Sequence, residues 1–423
     1  MTMTAPAPPA TPSLAPPPAR VGLVLAGGAA RGAYEVGVVQ YILEDVAQAL
    51  GCDLPIDVIS GTSAGSLNSV MLASHADKPR ARAAMLANRW TTLQLTDVVR
   101  PSPGEFFRLL GGLFGRSGNP DARPGRRGGI FDPGGVEEIV RSSVRFPDIR
   151  ENMRKGFLSA LSISTTHIAS GRTIIWVQRH EPGLPRWGRD PTMVARATEM
   201  TAEHVLASAA VPLLFPAVDI GGEFYCDGGL RQNVPLSPAR RLGANNLIVI
   251  NPRYIREQQT PTPAVALERE KKFPDPLFVF GKAMNALLLD RIENDIDRLA
   301  RLNAVLAAGT RSFGPDFEVR LNRELRRAGV SPLLSLDVVY VRASQDIGVL
   351  AAEYARSREF QQRARGVLGK VIQRIAEGER EADLLSYVLF DGPFAGRLIE
   401  MGRADARARH DELVAFFARR LGV

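Results

Sequence analysis

The chain has 423 residues, 45% of them hydrophobic and 23% charged, a composition that excludes a disordered or fibrous protein and leaves room for a large core in one or two domains. Two cysteines, Cys52 and Cys226, make no disulfide framework, and no Cys/His cluster has zinc spacing, so neither a metal nor another cofactor is expected and a reduced, cytoplasmic setting fits. The formal net charge of +8 suits an anionic surface, but without a zinc finger, an aromatic-rich RNA-binding strand or a long basic run no nucleic-acid partner is expected.

Residues 1–20 are dense in proline and lack the apolar centre of a signal peptide, so they read as a disordered tail. Val21 to Leu25 reads as a buried strand. A glycine-rich turn, Ala26 to Gly32, leads into a helix with Val36, Val39 and Ile42 on one face. The next strand, Ile56 to Ile59, runs into Gly61-Thr62-Ser63-Ala64-Gly65, after which Leu67, Val70, Met71 and Leu72 have helical spacing. This order implies a parallel sheet covered on both faces.

Residues 102–127 break the rhythm. Phe106, Phe107, Leu109, Leu110, Leu113 and Phe114 are followed by Arg116, Arg123, Arg126 and Arg127. Such a run suits docking on a lipid surface; it equally suits a helix packed on the core beside a basic loop. Strands are then expected at Phe157 to Ser164 and Thr173 to Gln178, turning near Ser170-Gly171. A helix ends before Pro212, and the most apolar window, Val205 to Val218, is interrupted by Pro212 and Pro216 and is too short to cross a bilayer. Gly221-Gly222 marks a two-residue hairpin, and Leu247 to Ile250 a further buried strand. From about Gln258 a proline-bearing linker leads into helical stretches such as Ala283 to Asn303, with one more strand, Leu336 to Val341, expected to rejoin the sheet. The expected division is a tail (1–20), a core (21–257) carrying the insert 102–127, and a mainly helical extension (258–423) packed on that core.

Three stretches carry chemistry. In G-x-S-x-G the serine sits on a sharp strand-to-helix turn that exposes its hydroxyl, so Ser63 is the candidate nucleophile. Gly61 and Gly65 flank it where a Cβ would collide with a neighbouring strand or helix, and Ala64 completes the elbow. A serine needs a base. Of the five histidines, only His410 follows a suitable acid in chain order, and it reads as a solvated helix residue; His204 reads as structural. The base is then a carboxylate, and Asp227, at a strand end before Gly228-Gly229, is the candidate, with an ordinary turn aspartate as the rival reading. Partial burial would raise its pKa and improve it as a base. The third stretch, Ala26 to Gly32, presents backbone N–H groups that suit an oxyanion. Gly27, Gly28, Ala29, Arg31 and Gly32 form this candidate hole, with Arg31 assigned to holding the loop. The same glycines fit a degenerate dinucleotide fingerprint, but the second strand ends in the serine turn where that motif needs an acidic residue.

Together, "GGAARGAY" (Gly27 to Tyr34), "GTSAG" (Gly61 to Gly65), "ASAAVPLLFP" (Ala207 to Pro216) and "DGGLRQNVP" (Asp227 to Pro235) resemble the patatin-like phospholipase family over somewhat more than half of the chain. The resemblance implies a three-layer α/β/α fold with a mainly parallel sheet, a Ser63–Asp227 dyad, a backbone oxyanion hole and a lipid acyl hydrolase acting on phospholipids or other lipid esters, with peripheral membrane contact as one way to meet them. The helical extension looks like that of a bacterial subgroup. One departure stands out: the family's turn commonly has a third glycine where this chain has Ala29. A soluble carboxylesterase or acyltransferase, and a non-catalytic nucleotide-binding or scaffold module, are the alternatives.

Overall fold

The apolar run Val21–Leu25 forms strand β1, buried along its whole length, and the chain builds a sheet outward from it on both sides. The computed structural model of the protein describes residues 20–100, 126–181, 183–185, 187, 190–255, 292–330, 332–364, 367–377 and 383–422. The proline-rich tail, nearly all of the insert at 102–127, and the linker with the first part of the helical stretch after Gln258 lie outside the described residues.

The remaining strands are β2 (Val58–Thr62), β3 (Arg126–Arg127), β4 (Ala160–His167), β5 (Thr173–Arg179), β6 (Met193–Ala197), β7 (Ala217–Ile220), β8 (Glu223–Asp227), β9 (Asn246–Asn251) and β10 (Asp337–Arg342). They lie in the order β10-β9-β1-β2-β4-β8-β7-β3, with β5 on β4 and β6 on β5. From β10 to β4 every neighbouring pair is parallel. The β4–β8, β7–β8 and β4–β5 pairs are antiparallel. Side chains alternate between faces: Leu23 and Ile59 join one apolar cluster, while Val24 and Val58 join a second on the other side. Helices cover both faces, giving the three-layer α/β/α arrangement.

Several boundaries differ from the sequence expectation for physical reasons. β2 starts later and continues to Thr62, because its pairing with β4 runs up to Thr62 opposite Ser164. β4 starts at Ala160, not Phe157, because Gly156 turns at φ 84° and leaves Phe157 exposed. Within the stretch read as a basic loop, Arg126–Arg127 forms a two-residue edge strand on β7.

The helices that matter here are α1 (Gly32–Tyr41), α2 (Ala64–Ser74), α3 (Ala81–Thr91), α4 (Gly134–Ser143), α5 (Ala202–Ser208), α6 (Asp383–Val388), α7 (Gly392–Arg407) and α8 (His410–Leu421). The sequence puts Val36, Val39 and Ile42 on one face of the first helix, yet every residue of α1 except Gln40 is buried. α7 lies on its outer side so closely that a Cβ on Gly37 would overlap the Ile399 backbone. α8 adds a 3.0 Å contact from His410 Nδ1 to the Tyr41 hydroxyl, so His410 is half-buried and bonded, not a solvated helix residue. Arg403 pairs with Glu44 and Asp45 at 2.7 Å each. The C-terminal helices are thus packed onto the first helix of the core. Among the described residues no helix is long and apolar enough to cross a membrane.

Candidate active site

β4 explains how two distant stretches meet. Along one edge, β2 occupies positions 160–164, ending with Thr62 opposite Ser164. β8 takes over the same edge from the opposite direction, with Asp227 opposite Thr165. The C-terminal ends of β2 and β8 therefore abut, and the residue after Thr62 is Ser63.

At that point the chain turns into α2 with Ser63 at φ 52°, ψ −122°. This conformation is sparsely populated for a residue with a Cβ and persists only where surroundings over-determine it. The Ser63 N–H donates to Ser208 Oγ at 2.9 Å, and Ser208 Oγ donates to the Ser164 carbonyl at 2.7 Å. Ser66 Oγ donates to the Ser63 carbonyl at 2.6 Å. A Cβ on Gly61 would overlap the Gly65 carbonyl, and one on Gly65 would overlap the carbonyl of Leu25. Both glycines are dictated by close backbone approach.

Asp227 is fully buried. Its Oδ1 accepts from the Gly229 N–H at 2.6 Å; its Oδ2 is buried without a hydrogen bond of ordinary geometry. Burial pushes the carboxyl up to about 7, although the Ser63 hydroxyl and the Gly229 N–H both oppose the shift. Because β2 and β8 end against one another on β4, this carboxyl, raised toward neutrality by burial, lies beside the serine turn.

The glycine-rich turn lies beside the elbow: a Cβ on Gly32 would come within 2.7 Å of Ala64 Cβ. Gly27 is clasped by Asn233, whose carbonyl accepts the Gly27 N–H at 2.9 Å and whose Nδ2 donates to the Gly27 carbonyl at 3.1 Å. Arg31 and Gly32 turn their N–H groups inward, onto Gly28 and Ala29 carbonyls. Gly28, Ala29, Ala30 and Ala64 are different: among the described residues their N–H groups donate to nothing. Within the stretch Gly27 to Gly32, Gly28, Ala29 and the buried Ala30 therefore carry unbonded donors, of which only Ala29 stands on the wall of the adjoining pocket, while Gly27, Arg31 and Gly32 shape the turn. Ala29 sits at φ 49°.

Ala29, Ser63 and Ala64 open onto a pocket of about 780 Å³, counting its mouth. Ala29 and Ser63 stand on its wall, and apart from Ser63 the lining is apolar or aromatic, including Leu67, Trp90, Phe131 and Phe215. Among the described residues, three non-glycine residues have positive φ: Ala29, Ser63 and Leu213. The first two line the pocket, and the third stands between the lining residues Val211 and Leu214. Backbone strain is concentrated at one place.

Beneath the site, a buried polar chain links α1, α2 and α3. Asn68 Nδ2 donates to Glu35 Oε2 at 2.9 Å and to the Gly32 carbonyl at 3.1 Å, while Trp90 Nε1 donates to Asn68 Oδ1 at 2.9 Å. Burial pushes the Glu35 carboxyl well above the usual carboxylate range, against the pull of Asn68 and the Ala26 backbone. Glu35, Asn68, Ser208 and Asn233 were given no role from sequence. Ser208 and Asn233 lie within quoted motifs, which was the available signal; nothing local marks Glu35. His204 stands apart: its Nδ1 accepts from the Thr201 N–H at 3.1 Å, capping α5, and burial pushes it down to about 4. No cluster able to hold a metal exists among the described residues.

A family model described as patatin-like phospholipase matches residues 23–240. Among curated relatives, the lysophospholipase NTE1 of Pyricularia oryzae is 42% identical over 237 residues, covering 55% of this chain and 12% of its own length. The lysophospholipase nte1 of Aspergillus oryzae is 25% identical over 237 residues, with the same coverage. The chain thus spans about an eighth of the length of these relatives. The human GIVD cytosolic phospholipase A2 is a similar solved structure, at 11% identity and a TM-score of 0.38, covering 96% of this chain and 59% of the other.

Proposed function

The chain belongs to the patatin-like phospholipase family, a family of lipid acyl hydrolases, and from that premise we propose that Ser63 and Asp227 form the catalytic dyad of a serine hydrolase acting on fatty acyl esters of phospholipids or related lipids. The observation that carries this reading is the abutment of β2 and β8 on β4, which leaves a buried, poised carboxyl next to a strained serine at the wall of an apolar pocket.

The chemistry follows from these parts. The acyl chain occupies the apolar pocket, where burial of hydrocarbon favours binding by about 0.8 kcal/mol per CH₂. Ser63 Oγ attacks the ester carbonyl as its proton passes to Asp227. The carbonyl oxygen, now negative, accepts from the N–H groups of Gly28 and Ala29, joined by that of Ala64. One preorganised donor of this kind contributes about 3–4 kcal/mol to the transition state. The tetrahedral intermediate collapses, the C–O bond to the alcohol breaks, and Asp227 returns the proton to the leaving oxygen. Water then gives a proton to Asp227 and attacks the acyl-serine; the C–O bond to Ser63 breaks, Asp227 returns the proton to Ser63 Oγ, and the fatty acid leaves. Residues outside this path have supporting work: Asn233, Arg31 and Ser208 hold the two turns.

Labelling by a fluorophosphonate, combined with product profiling on mixed phospholipid and neutral-lipid vesicles, tests the reading. Wild-type protein is expected to label and to release fatty acid, and Ser63→Ala to do neither. An unlabelled wild-type chain would favour a scaffold. We further propose that contact with the bilayer runs through the apolar and basic stretch from Phe106 to Arg127, in a reduced, cytoplasmic setting consistent with two free cysteines. Deleting 102–127 should weaken vesicle binding and spare hydrolysis of a short soluble ester; equal loss of both would assign the stretch to folding.

A further inference from the structure

The matched family region ends at residue 240, yet the site does not. Arg31, which closes the single turn after Ala29, is buried, and two residues of α6 hold its side chain. Arg31 Nε donates to Ser386 Oγ at 2.8 Å, across 355 positions of sequence, with both groups buried. The guanidinium carbon lies 4.0 Å from the centroid of the Tyr387 ring, a cation–π contact that burial strengthens. Tyr387 packs with Val211 and Leu214 and stands on the pocket wall together with Ala29 and Ser63.

The turn that Arg31 closes needs such a hold. Ala29 carries a Cβ at φ 49°, a left-handed conformation that is unfavourable for an L-residue. The Arg31 N–H is bonded to the Gly28 carbonyl at 3.0 Å, so a pull on Arg31 bears directly on the peptide whose N–H belongs to Ala29. Local sequence alone favours relaxation of this turn; the grip from α6 opposes it.

We propose that Ser386 and Tyr387 are positioning residues for the oxyanion-binding turn and act through Arg31, which makes the C-terminal helix α6 a working part of the site. The inference rests on the assignment of Gly28 and Ala29 as oxyanion donors. It differs from simple packing: a packing contact affects stability, whereas this grip sets where two N–H groups point.

The test uses the full chain and a short p-nitrophenyl ester, whose small acyl group limits any effect of reshaping the pocket wall. Ser386→Ala and Tyr387→Leu are expected to lower kcat about tenfold or more, as misplacement on the scale of 1 Å does, with KM within about twofold. Tyr387→Phe keeps the ring face and should restore most of kcat. Arg31→Met should lower kcat by itself and make a further Ser386→Ala change silent, because coupled residues are not additive. Melting curves establish that each variant is folded at the assay temperature; if Tyr387→Leu is not, the Ser386→Ala and Arg31→Met pair decides. Folded single variants with kcat within twofold of wild type, or full additivity in the Arg31→Met background, would overturn the proposal while Ser63 still labels with the fluorophosphonate. If wild-type Ser63 does not label, the dyad reading itself falls and takes this one with it.

Discussion

The turn carrying Ser63 and the turn carrying Ala29 lie side by side, each with a non-glycine residue at positive φ, and they are held in different ways. The serine turn is locked by its immediate surroundings. Gly61 and Gly65 pack against backbone with no room for a Cβ, Ser66 ties back onto the Ser63 carbonyl, and the Ser208 hydroxyl bridges to β4. The Ala29 turn has a looser local frame. Asn233 clasps its start and residues of the chain's last helices grip its end. The proposed nucleophile must sit at one spot relative to its base, and its turn is built into the sheet. The proposed oxyanion donors must meet an oxygen at hydrogen-bond distance and angle, and in their turn that placement is shared with a distant segment.

Four experiments break or sharpen this contrast. The largest effect should come from Asp227→Asn, which removes the proposed base while keeping its shape; kcat/KM on a soluble ester should fall about a thousandfold, within the usual range for general-base loss. A loss under tenfold would detach β8 from the serine turn. Next, Gly65→Ala should destabilise the fold by about 2–3 kcal/mol, because the backbone carbonyls of Leu25 and Ala26 cannot yield as a side chain can. Urea titration measures it, and an unchanged midpoint would show that the serine turn has slack.

The third experiment uses pH. The buried Asp227 carboxyl is raised to about 7, so the free enzyme's kcat/KM should climb along an acid limb centred near pH 7 as the base loses its proton. Stability runs the other way. A raised native pKa favours the folded state fully below the unfolded carboxyl range and loses that contribution as pH rises through 7. Asp227→Asn should therefore match wild type near pH 4 and be more stable at pH 8, by about 4 kcal/mol. Equal melting at both pH values would show that the carboxyl is not strained by burial. The smallest effect belongs to Ala29→Gly. Relief of the left-handed backbone outweighs the added freedom of the unfolded chain, leaving a gain of under about 1 kcal/mol. A clear loss would mean that the Ala29 methyl packs in a way that matters more than its backbone strain.

Much of the architecture was legible because it is local. Val21–Leu25 is a strand in both readings, the Gly221-Gly222 hairpin falls where its two glycines put it, with φ of 67° and 88°, and the strand rejoining the sheet near Val341 pairs in parallel with β9. Expectations about burial fared differently. The helix after Gly32 shows one apolar face in sequence, but α7 covers its other side, and no pattern within ten residues announces a partner that arrives 360 residues later. His410 departs from the sequence expectation for the same reason: its partner, Tyr41, belongs to the opposite end of the chain.

For the site, sequence by itself determined the residue types: a serine between two glycines, a carboxylate before two more, and a glycine-rich turn with an arginine. Those choices are forced by steric limits and proton chemistry acting within a few residues. Tertiary structure alone decided that β2 and β8 end against one another on β4, that burial lifts Asp227 to about 7, and that Ser386 and Tyr387 reach Arg31. Strand register, desolvation and long-range contact depend on where the rest of the chain packs, and a local stretch of residues carries no record of that.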